Sequence, residues 1–157
     1  DMIIVDYGDL LRPVSAQREK RNELESIYEE MRAIAQEFKC PIWTASQTNR
    51  SGLNAEVITM ESISEAFNKC FVADFIFSVS RTIDDKTANS GRIFVAKNRN
   101  GPDGIIYPIF MDTSNVKIKV LPSNGDTPAS VIENSAKEEA KSLREKYKKY
   151  KKDRKGK

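Results

Sequence analysis

The stretch MIIVD, residues 2 to 6, is a short continuous apolar run that ends in an acid. This pattern predicts a strand buried on both faces of a parallel sheet. Between Gln17 and Phe38, apolar residues recur at spacings of three and four, which predicts a helix with one face packed on that sheet. The residues of this stripe are Leu24, Ile27, Tyr28, Met31, Ile34, Ala35 and Phe38. PIWTAS, residues 41 to 46, predicts a second buried strand, so the order strand, helix, strand implies a right-handed crossover and a parallel pair.

The second half of the chain predicts antiparallel strands that follow a short helix. A capped helix is expected from Thr59 to about Phe71, and a Gly/Asp/Thr-rich break is expected at residues 82 to 91. The turn Gly-Pro-Asp-Gly predicts a hairpin, and Pro108 predicts that its strand lies at an edge or contains a bulge. The predicted strands are residues 74 to 81, 92 to 98, 105 to 112 and 116 to 121. The fold class is therefore α/β, with a mixed sheet that is parallel first and antiparallel later.

The composition restricts the chemistry that the chain can perform. At 157 residues the chain fits one domain, and it contains no histidine, which excludes Ser-His-Asp and Cys-His catalysis and most zinc sites. Cys40 and Cys70 stand among apolar neighbours, so both are expected to be buried thiols and not a disulfide pair. The sequence has no long apolar run and no signal peptide, which predicts a cytoplasmic protein without a membrane segment.

Positive charge is concentrated at the end of the chain. Residues 133 to 157 carry eleven Lys/Arg against five Asp/Glu, a balance of +6, so residues 1 to 132 carry fifteen against eighteen, a balance of −3. Residues 122 to 132 have the composition of a linker, and residues 133 to 152 have helical propensity with a thin apolar face. The chain is therefore expected to consist of a core, residues 1 to 121, a linker, and a mobile, marginally helical basic tail that can attract nucleic acid.

Two polar positions follow the predicted parallel strands. Asp6 comes at the end of the first strand, and Gln47 follows the second strand in SQTNR, residues 46 to 50. Because ligands of open α/β sheets bind at the carboxyl ends of the strands, Asp6 and Gln47 are expected at one rim. In nucleotide hydrolases a carboxylate there holds magnesium, and a neutral amide senses the γ-phosphate or positions the attacking water. The residues alone leave two alternatives open. Asp6 could simply cap the following loop, and SQTNR could be an ordinary polar turn.

AKNRNGPDG, residues 96 to 104, places two cations next to a turn. The side-chain period of a strand is two, so Lys97 and Arg99 are predicted to project from one face near a hairpin tip. Such a pair suits a doubly negative partner, such as the terminal phosphates of a nucleotide. A solvated hairpin face is the alternative, and it describes most charged pairs on strands.

Taken in order, IIVDY, SQTNRS, VADFIF and AKNRNGPDG resemble the C-terminal half of the ATPase domain of DnaB-type replicative helicases and their phage relatives, over about residues 1 to 121. The resemblance implies a partial RecA-like three-layer core, with a mostly parallel sheet and a C-terminal antiparallel hairpin. It implies ATP and Mg²⁺ as cofactors, Asp6 as the Walker B magnesium acid and Gln47 as the sensor glutamine. Lys97 and Arg99 would be finger cations that reach the γ-phosphate bound by the neighbouring subunit of a hexameric ring.

The same resemblance implies contacts with single-stranded DNA. SISEAFNKCFVAD resembles the family's DNA-binding loop and helix, in which Glu65 matches the acid of an Arg-Glu-Ser-Gly pattern while Ser64 replaces the arginine. The residues implied for DNA binding are Arg50, Ser51, Asn54, Ser64, Glu65 and Lys69. The implied partners are single-stranded DNA, identical subunits and a primase or helicase loader, in the cytoplasm of a bacterial or phage-infected cell.

The phosphate-binding loop of this family has no counterpart in the sequence. No G-x-x-x-x-G-K-[ST] occurs, and the family's catalytic glutamate belongs to the same N-terminal half. The chain is therefore expected to be a fragment, the product of a truncated reading frame, or one half of a split helicase, inactive until a phosphate-loop half is supplied in cis or in trans. A sheet without its phosphate-loop strand is also expected to expose a pairing edge and apolar surface.

Two further function classes compete with the helicase hypothesis. One is a non-catalytic module that keeps a RecA-like half-fold for assembly and binds nucleic acid through the basic tail, in which case binding weakens steeply with salt. The other is a metal-dependent nuclease built on Asp6, Asp9 and Asp74. The nuclease is the weaker of the two, because Asp9 lies in a loop and Asp74 begins a strand at its opposite end.

Overall fold

The computed structural model of the chain describes residues 1–14, 19–48, 55–60 and 68–155. Strands and helices alternate at first, and most of the strands follow in the second half. The elements are β1 (Ile3–Val5), a short 3-10 helix (Gly8–Leu10), α1 (Lys20–Phe38), β2 (Ile42–Thr44), α2 (Asn68–Val72), β3 (Phe75–Ser80), α3 (Ile83–Thr87), β4 (Ser90–Asn98), β5 (Ile106–Asp112), β6 (Lys117–Val120) and α4 (Pro128–Lys155). The chain is therefore α/β, as the sequence predicts.

A parallel pair of strands packs against α1. β1 and β2 run in parallel, with Ile3 opposite Ile42 and Val5 opposite Thr44, which confirms the predicted strand, helix, strand unit. One stripe of α1 is buried against them. The buried members of this cluster are Leu24, Ile27, Tyr28 and Met31, and the partly buried members are Val5, Ile42 and Val72.

The last turns of α1 extend beyond this short sheet. Strands of three residues are about 10 Å long, whereas a helix of 19 residues is about 28 Å long. Ile34 and Phe38, which the apolar stripe assigns to the core, are therefore exposed, at 41% and 67% of their surface. The helix ends where Lys39 adopts a left-handed conformation (φ 51°), and the N–H of Cys40 donates to the carbonyl of Ala35 (3.1 Å).

Four antiparallel strands in the order β3-β4-β5-β6 form the second sheet. β4 and β5 form the predicted hairpin, in which Phe94 pairs with Ile106 and the N–H of Gly104 donates to the carbonyl of Val95 (2.8 Å). Gly104 lies in the turn with a φ of +73°, a conformation that glycine adopts without steric cost. Among the described residues this sheet and the parallel pair are separate, so the strands do not form the single mixed sheet expected from the sequence.

An irregularity in β4 changes the direction in which its side chains face. Ile76 pairs with Lys97 and the next residue, Phe77, pairs with Val95, so Ala96 is an extra residue in the ladder. Adjacent residues of β3 face opposite sides of the sheet, and each shares its face with the residue it pairs with. Val95 and Lys97 therefore lie on opposite faces although they are two positions apart.

Pro108 lies in a central strand, so the prediction of an edge position or a bulge is wrong. β5 is flanked by β4 and β6, and its pairing with β4 is regular from Ser90 to Phe94. The carbonyl of Pro108 accepts the N–H of Leu121 (2.9 Å), the residue just after β6. The missing N–H of the proline therefore faces Leu121, where the β6 ladder ends, so the proline removes only the reciprocal bond of this last pair.

The stretch predicted to be a break, residues 82 to 91, contains α3, so that prediction is wrong. The first turn of α3 is fixed by a capping box. Thr82 Oγ1 accepts the N–H of Asp85 (3.2 Å), and a carboxylate oxygen of Asp85 accepts the N–H of Thr82 (2.9 Å). The sequence carries this signal as Thr-Ile-Asp-Asp, but the same residue types also favour turns.

α4 begins at Pro128, inside the stretch predicted to be a linker, and continues to Lys155. Proline suits the first turn of a helix, and Thr127 Oγ1 accepts the N–H of Ser130 (3.2 Å). Val131 packs against the core of the antiparallel sheet. The buried residues of that cluster are Val57, Phe94 and Ile106. In the described part of the chain, no helix combines the length and apolar character that a membrane span requires.

The two cysteines are free thiols. Cys70 is buried, as expected, whereas Cys40 is half-buried. Burial raises the pKa of the Cys70 thiol above its ordinary value, against the opposing charges of Lys69 and Lys97. Cys70 belongs to α2, which is the described part of the helix predicted from Thr59 to about Phe71, and residues 61–67 lie outside the described residues.

An apolar cleft of about 620 Å³ lies between the two sheets. Trp43 of β2 is on one side, and Phe75 and Phe77 of β3 are on the other, each with its ring centroid 5.9 Å from that of Trp43. Within the described ranges β2 pairs only with β1, and β3 pairs only with β4, so both strands that line the cleft have a free edge. These features agree with the expected exposed pairing edge and apolar surface.

Candidate functional site

The carboxyl ends of β1 and β2 bring two of the predicted site residues to one rim. Asp6 directly follows β1 and is exposed. Gln47 follows β2, and its side-chain amide donates to the hydroxyl of Tyr7 (3.0 Å), the residue next to Asp6. The rim thus presents an exposed carboxylate from one strand and, from the other, an amide that the phenol of Tyr7 holds in place. Tyr7 is not among the site residues predicted from the sequence, although its position directly after the rim acid is a signal for it.

The loop after β1 is drawn close to β2. The N–H of the buried Gly8 donates to Thr44 Oγ1 (2.8 Å). A Cβ at this position would lie 3.0 Å from Met31 Cε and 3.1 Å from Thr44 Oγ1, so glycine lets the loop approach both α1 and β2. This contact fixes the start of the loop that carries Asp6 and Asp9.

Behind the rim, Asp9 forms a buried polar cluster with Lys69. The Lys69 ammonium donates to both carboxylate oxygens of Asp9 (3.0 and 3.2 Å) and to Ser46 Oγ (2.6 Å), and the residue is only 4% exposed. The Tyr28 hydroxyl donates to Asp9 (2.8 Å), and the Lys69 ammonium lies 5.6 Å from the centroid of the Tyr28 ring. Burial, and then the hydrogen bond and charge of Asp9, raise the pKa of Tyr28 well above its ordinary value.

The placement of Lys69 corrects its assignment as a DNA-binding residue. A buried ammonium is stable only when a carboxylate or other acceptors satisfy it, and Asp9 and Ser46 supply those acceptors here. The Lys69 charge is therefore covered by its own chain and is not presented to a DNA backbone. Asp9 is 60 positions away in the sequence, so residue spacing alone could not reveal the pair.

Lys97 and Arg99 meet at the C-terminal end of α2. The Lys97 ammonium donates to the carbonyls of Cys70 (2.7 Å) and Phe71 (3.2 Å), and Arg99 Nη2 donates to the carbonyl of Phe71 (2.6 Å). The last carbonyls of a helix lack partners within the helix and carry partial negative charge, so the two cations stabilise this end. Burial, and then the positive charge of Arg99, lower the pKa of Lys97 below its ordinary value.

Asp74 joins Arg99 to α1. Arg99 Nη1 donates to Asp74 Oδ1 (2.9 Å), while Arg32 Nη1 donates to both oxygens of Asp74 (3.0 and 3.1 Å) and to the carbonyl of Val72 (2.6 Å). The hydrogen bond from Arg32, together with the charges of Arg32 and Arg99, holds the pKa of Asp74 below its ordinary value despite a smaller opposing effect of desolvation. No sequence motif singles out Arg32, and neither the VADFIF motif nor the nuclease hypothesis, which both contain Asp74, predicts its partners, because this cluster exists only in the folded chain.

The sequence pattern of the DnaB-like helicase C-terminal domain matches residues 1–117, which include the rim, the polar cluster and the hairpin. This chain belongs to that family. A DnaB-like replicative helicase of Enterobacteria phage T4 is 29% identical over 103 residues, which cover 64% of this chain and 22% of the relative. The replicative DNA helicase DnaB of Geobacillus stearothermophilus is 29% identical over 121 residues, which cover 73% of this chain and 27% of the relative. The chain thus spans about a quarter of the length of these helicases.

Two solved structures have the same fold as this DnaB-like chain. An ATPase domain superimposes with a TM-score of 0.68 at 22% identity, over 77% of this chain and 44% of that domain. A DnaB-like replicative helicase, described with its interactions with primase, superimposes with a TM-score of 0.63 at 22% identity, over 71% of this chain and 28% of that helicase. The fold is therefore part of the RecA-like ATPase fold, as the sequence resemblance implies.

The remaining site predictions of the DnaB-like chain fall into two groups. Five residues implied for DNA binding lie outside the described residues: Arg50, Ser51, Asn54, Ser64 and Glu65. Within the described ranges no group of three or more His, Cys, Asp or Glu side chains is placed to hold a metal. Asp9 is paired with Lys69, and Asp74 is paired with Arg32 and Arg99, so the structure does not support a nuclease site built on these acids.

Proposed function

We propose that this chain is part of an ATP-dependent replicative DNA helicase, which unwinds duplex DNA by translocating along single-stranded DNA. The observation that carries the proposal is the family match over residues 1–117, because it covers both the rim and the hairpin. The two relatives, a DnaB-like replicative helicase and a replicative DNA helicase DnaB, agree with this function. In this proposal the rim of β1 and β2 acts on one nucleotide, and the hairpin acts on the nucleotide of the next subunit.

Asp6 holds Mg²⁺ at the rim, and Gln47 senses the γ-phosphate of ATP or orients the attacking water. The donor set fits this ion, because Mg²⁺ usually takes one or two carboxylates together with waters and substrate phosphates. Asp6 offers such an exposed carboxylate, and the part of the chain that the structure describes contains no cluster of three acids. When bound, the ion neutralises negative charge that develops on the phosphates.

Lys97 and Arg99 act as finger cations in a hexameric ring of identical subunits. Arg99 offers a planar fork of donors and Lys97 a compact charge, and together they match a terminal phosphate. The chain holds the acid, the amide and these cations but no G-x-x-x-x-G-K-[ST]. It therefore hydrolyses ATP only when a phosphate-loop half is supplied.

Single-stranded DNA and accessory proteins complete the proposed partners. The DNA is contacted by the segments that contain Arg50, Ser51, Asn54, Ser64 and Glu65. The basic tail, residues 133 to 157, has a balance of +6 and gives a second contact with DNA or with a helicase loader. A primase is a further partner, in line with the DnaB-like helicase that is described with its interactions with primase.

Arg99→Ala tests the finger assignment. The chain is mixed with a phosphate-loop half and single-stranded DNA, and both ATP turnover and ATP binding are measured. We expect the wild-type mixture to hydrolyse ATP in a DNA-stimulated manner and Arg99→Ala to lower kcat by about a thousandfold or more, as for other trans-acting arginines. ATP binding should stay within about twofold, because the finger acts on the nucleotide of another subunit.

Lys117→Ala is the matched control for this experiment. Lys117 is an exposed cation at the start of β6, so its removal changes the net charge equally without touching the hairpin. Its turnover should equal that of the wild type. Hydrolysis by Arg99→Ala at the wild-type rate would contradict the finger assignment, and a wild-type mixture without DNA-stimulated turnover would contradict the proposed function.

A further inference from the structure

The guanidinium of Arg99 is held by groups of its own chain. Nη1 donates to Asp74 Oδ1 (2.9 Å), and Nη2 donates to the carbonyl of Phe71 (2.6 Å). The backbone N–H of Arg99 also donates to the carbonyl of Asp74 (3.0 Å). A phosphate that binds the end of a guanidinium bidentately uses the same two nitrogens. Such a phosphate therefore competes with Asp74 and Phe71 for Arg99.

Lys97 shares the helix end with Arg99, and the two cations disfavour each other. Both donate to the carbonyl of Phe71, and the charge of Arg99 contributes to the lowered pKa of Lys97. Asp74 is the carboxylate that offsets this repulsion on the Arg99 side. Without the Asp74 carboxylate, the side chains of Lys97 and Arg99 would have only the carbonyls of α2 as the acceptors described above.

Asp74 can release Arg99 without becoming unpaired. Arg32 donates to both of its oxygens (3.0 and 3.1 Å) and is anchored by the carbonyl of Val72 (2.6 Å). The ion pair with Arg99 is also partly open to solvent, with 44% of the Arg99 side chain and 56% of the Asp74 side chain exposed. Ion pairs of this exposure are weak and exchange readily, so a doubly charged phosphate can replace the carboxylate.

We propose that Asp74 is a positioning residue, which docks the Arg99 guanidinium on the C-terminal end of α2 until a phosphate of the neighbouring subunit's nucleotide replaces the carboxylate. This inference rests on the proposed function, because it takes Arg99 as the finger. In the docked state the Arg99 guanidinium is bound to its own chain. Asp74 therefore lowers the fraction of Arg99 side chains that are free to bind the phosphate of the neighbouring subunit's nucleotide. Removal of the Asp74 charge therefore increases that fraction, and removal of Arg32 decreases it.

The docking is tested first on the chain alone, without any activity. Arginine side-chain NMR signals of Arg99 are identified by their loss in Arg99→Ala. In the wild type, contacts on Nη1 and Nη2 should slow rotation of the guanidinium and give separate signals for the two nitrogens. Asp74→Asn should merge them, whereas Asp103→Asn, which removes an exposed charge from the same hairpin turn, should leave them separate.

The consequence is then tested in the mixture with a phosphate-loop half and single-stranded DNA. We expect Asp74→Asn to raise kcat about two- to fivefold, the range that a partly exposed ion pair can hold back. Arg32→Gln should lower kcat, because Asp74 then keeps Arg99 as its charged partner. Asp103→Asn should match the wild type. Urea unfolding midpoints of all variants identify any change that comes from loss of folding.

The two levels of the proposal fail in different ways. If Arg99→Ala lowers turnover but Asp74→Asn leaves both turnover and the NMR signals unchanged, the docking role of Asp74 is overturned while the helicase function stands. If folded Asp74→Asn lowers kcat, Asp74 orients the finger for catalysis and does not hold it back, which also overturns the inference. If Arg99→Ala has no effect on turnover, the finger assignment itself is overturned.

Discussion

The ion pair of Lys69 and Asp9 connects α2 to the loop that begins at the rim acid. A buried pair resists the loss of either member, because the remaining charge is left without compensation in a poorly solvated site. Ser46 and Tyr28 add hydrogen bonds that hold the carboxylate and the ammonium in one geometry. The cluster therefore couples the position of α2 to the position of the rim.

Single and double substitutions at this pair measure its contribution. Lys69→Met and Asp9→Asn should each lower the free energy of unfolding by about 3 kcal/mol, the lower end for a buried pair, because Asp9 keeps 19% of its side chain exposed. The double variant should lose less than the sum, since no unpaired charge remains. Urea unfolding gives all three values.

The exposed pair of Glu133 and Lys137 on α4 is the control, and Lys137→Met should lower the free energy of unfolding by no more than about 0.5 kcal/mol. Strictly additive losses at Asp9 and Lys69 would contradict the coupling.

At the residue scale, sequence predicts position better than it predicts partners. Asp6 and Gln47 reach one rim because the carboxyl ends of parallel strands share an edge regardless of detail. Lys97 and Arg99 share a face because a strand has a period of two, and both contact α2. The partner of Lys69 could not be predicted, because a long-range ion pair depends on packing that leaves no trace in local spacing.

At the scale of elements, α3 is attached to β4 through the carboxylate of Asp85. The carboxylate accepts hydrogen bonds from the Thr82 N–H (2.9 Å), from Ser90 Oγ (2.8 Å) and from Arg92 Nη1 (2.8 Å). Burial is the largest single influence and raises the pKa of Asp85. The hydrogen bonds of Thr82 and Ser90 and the charge of Arg92 together outweigh it, so the pKa lies below the ordinary value of 3.8.

This network makes part of the stability dependent on acid. Because the folded pKa of Asp85 is depressed, its contribution is fully present above the ordinary value of 3.8 and is lost as the pH falls through the lower folded pKa. Asp85→Asn should therefore be less stable than the wild type at neutral pH, and this difference should shrink on acidification below about pH 4. Urea unfolding at a series of pH values measures this difference in the free energy of unfolding. Asp84→Asn, which changes the exposed neighbour of Asp85, is the control and should show no such dependence on pH. A difference that does not change with pH would contradict the network.

The elements themselves were predicted unevenly. The parallel pair, α1 and the hairpin follow from apolar period and turn chemistry, which act locally. α3 was missed because Thr82 and Asp85 suit both turns and helix caps, and the choice depends on the contact of Asp85 with Arg92 in β4. The exposed end of α1 at Phe38 could not be predicted either, because it depends on the length of the strands beneath the helix.

At the scale of the whole molecule, the cleft between the two sheets leaves the described part of the core open to solvent. Both strands that line it have a free edge among the described residues, and Trp43, Phe75 and Phe77 remain about 40% exposed. Apolar surface of this kind favours association, since covering it removes the surface from water. We therefore predict that a strand of the proposed phosphate-loop half enters the cleft, pairs with the free edges of β2 and β3, and covers the indole of Trp43.

Trp43 is the only tryptophan of the chain, so its fluorescence reports directly on the cleft. Addition of a phosphate-loop half that contains no tryptophan should shift its emission to shorter wavelengths, because the indole loses its contact with water. Addition of an unrelated protein without tryptophan should leave the emission unchanged. Formation of the complex, as measured by sedimentation, without a shift in emission would contradict closure of the cleft.

Ala96, the extra residue of β4, gives this strand a position at which its length can change. Loss of Ala96 would leave Phe77 opposite Val95 and Ile76 opposite Lys97, so neither half of the strand would turn over. Loss of a residue from the regular stretch, Ser90–Phe94, would instead send the preceding side chains to the wrong face. We therefore expect insertions and deletions in the hairpin to be tolerated best at Ala96. The residues before Ala96 pack in the sheet, whereas the tip that carries Lys97 and Arg99 can change in length without turning those residues over.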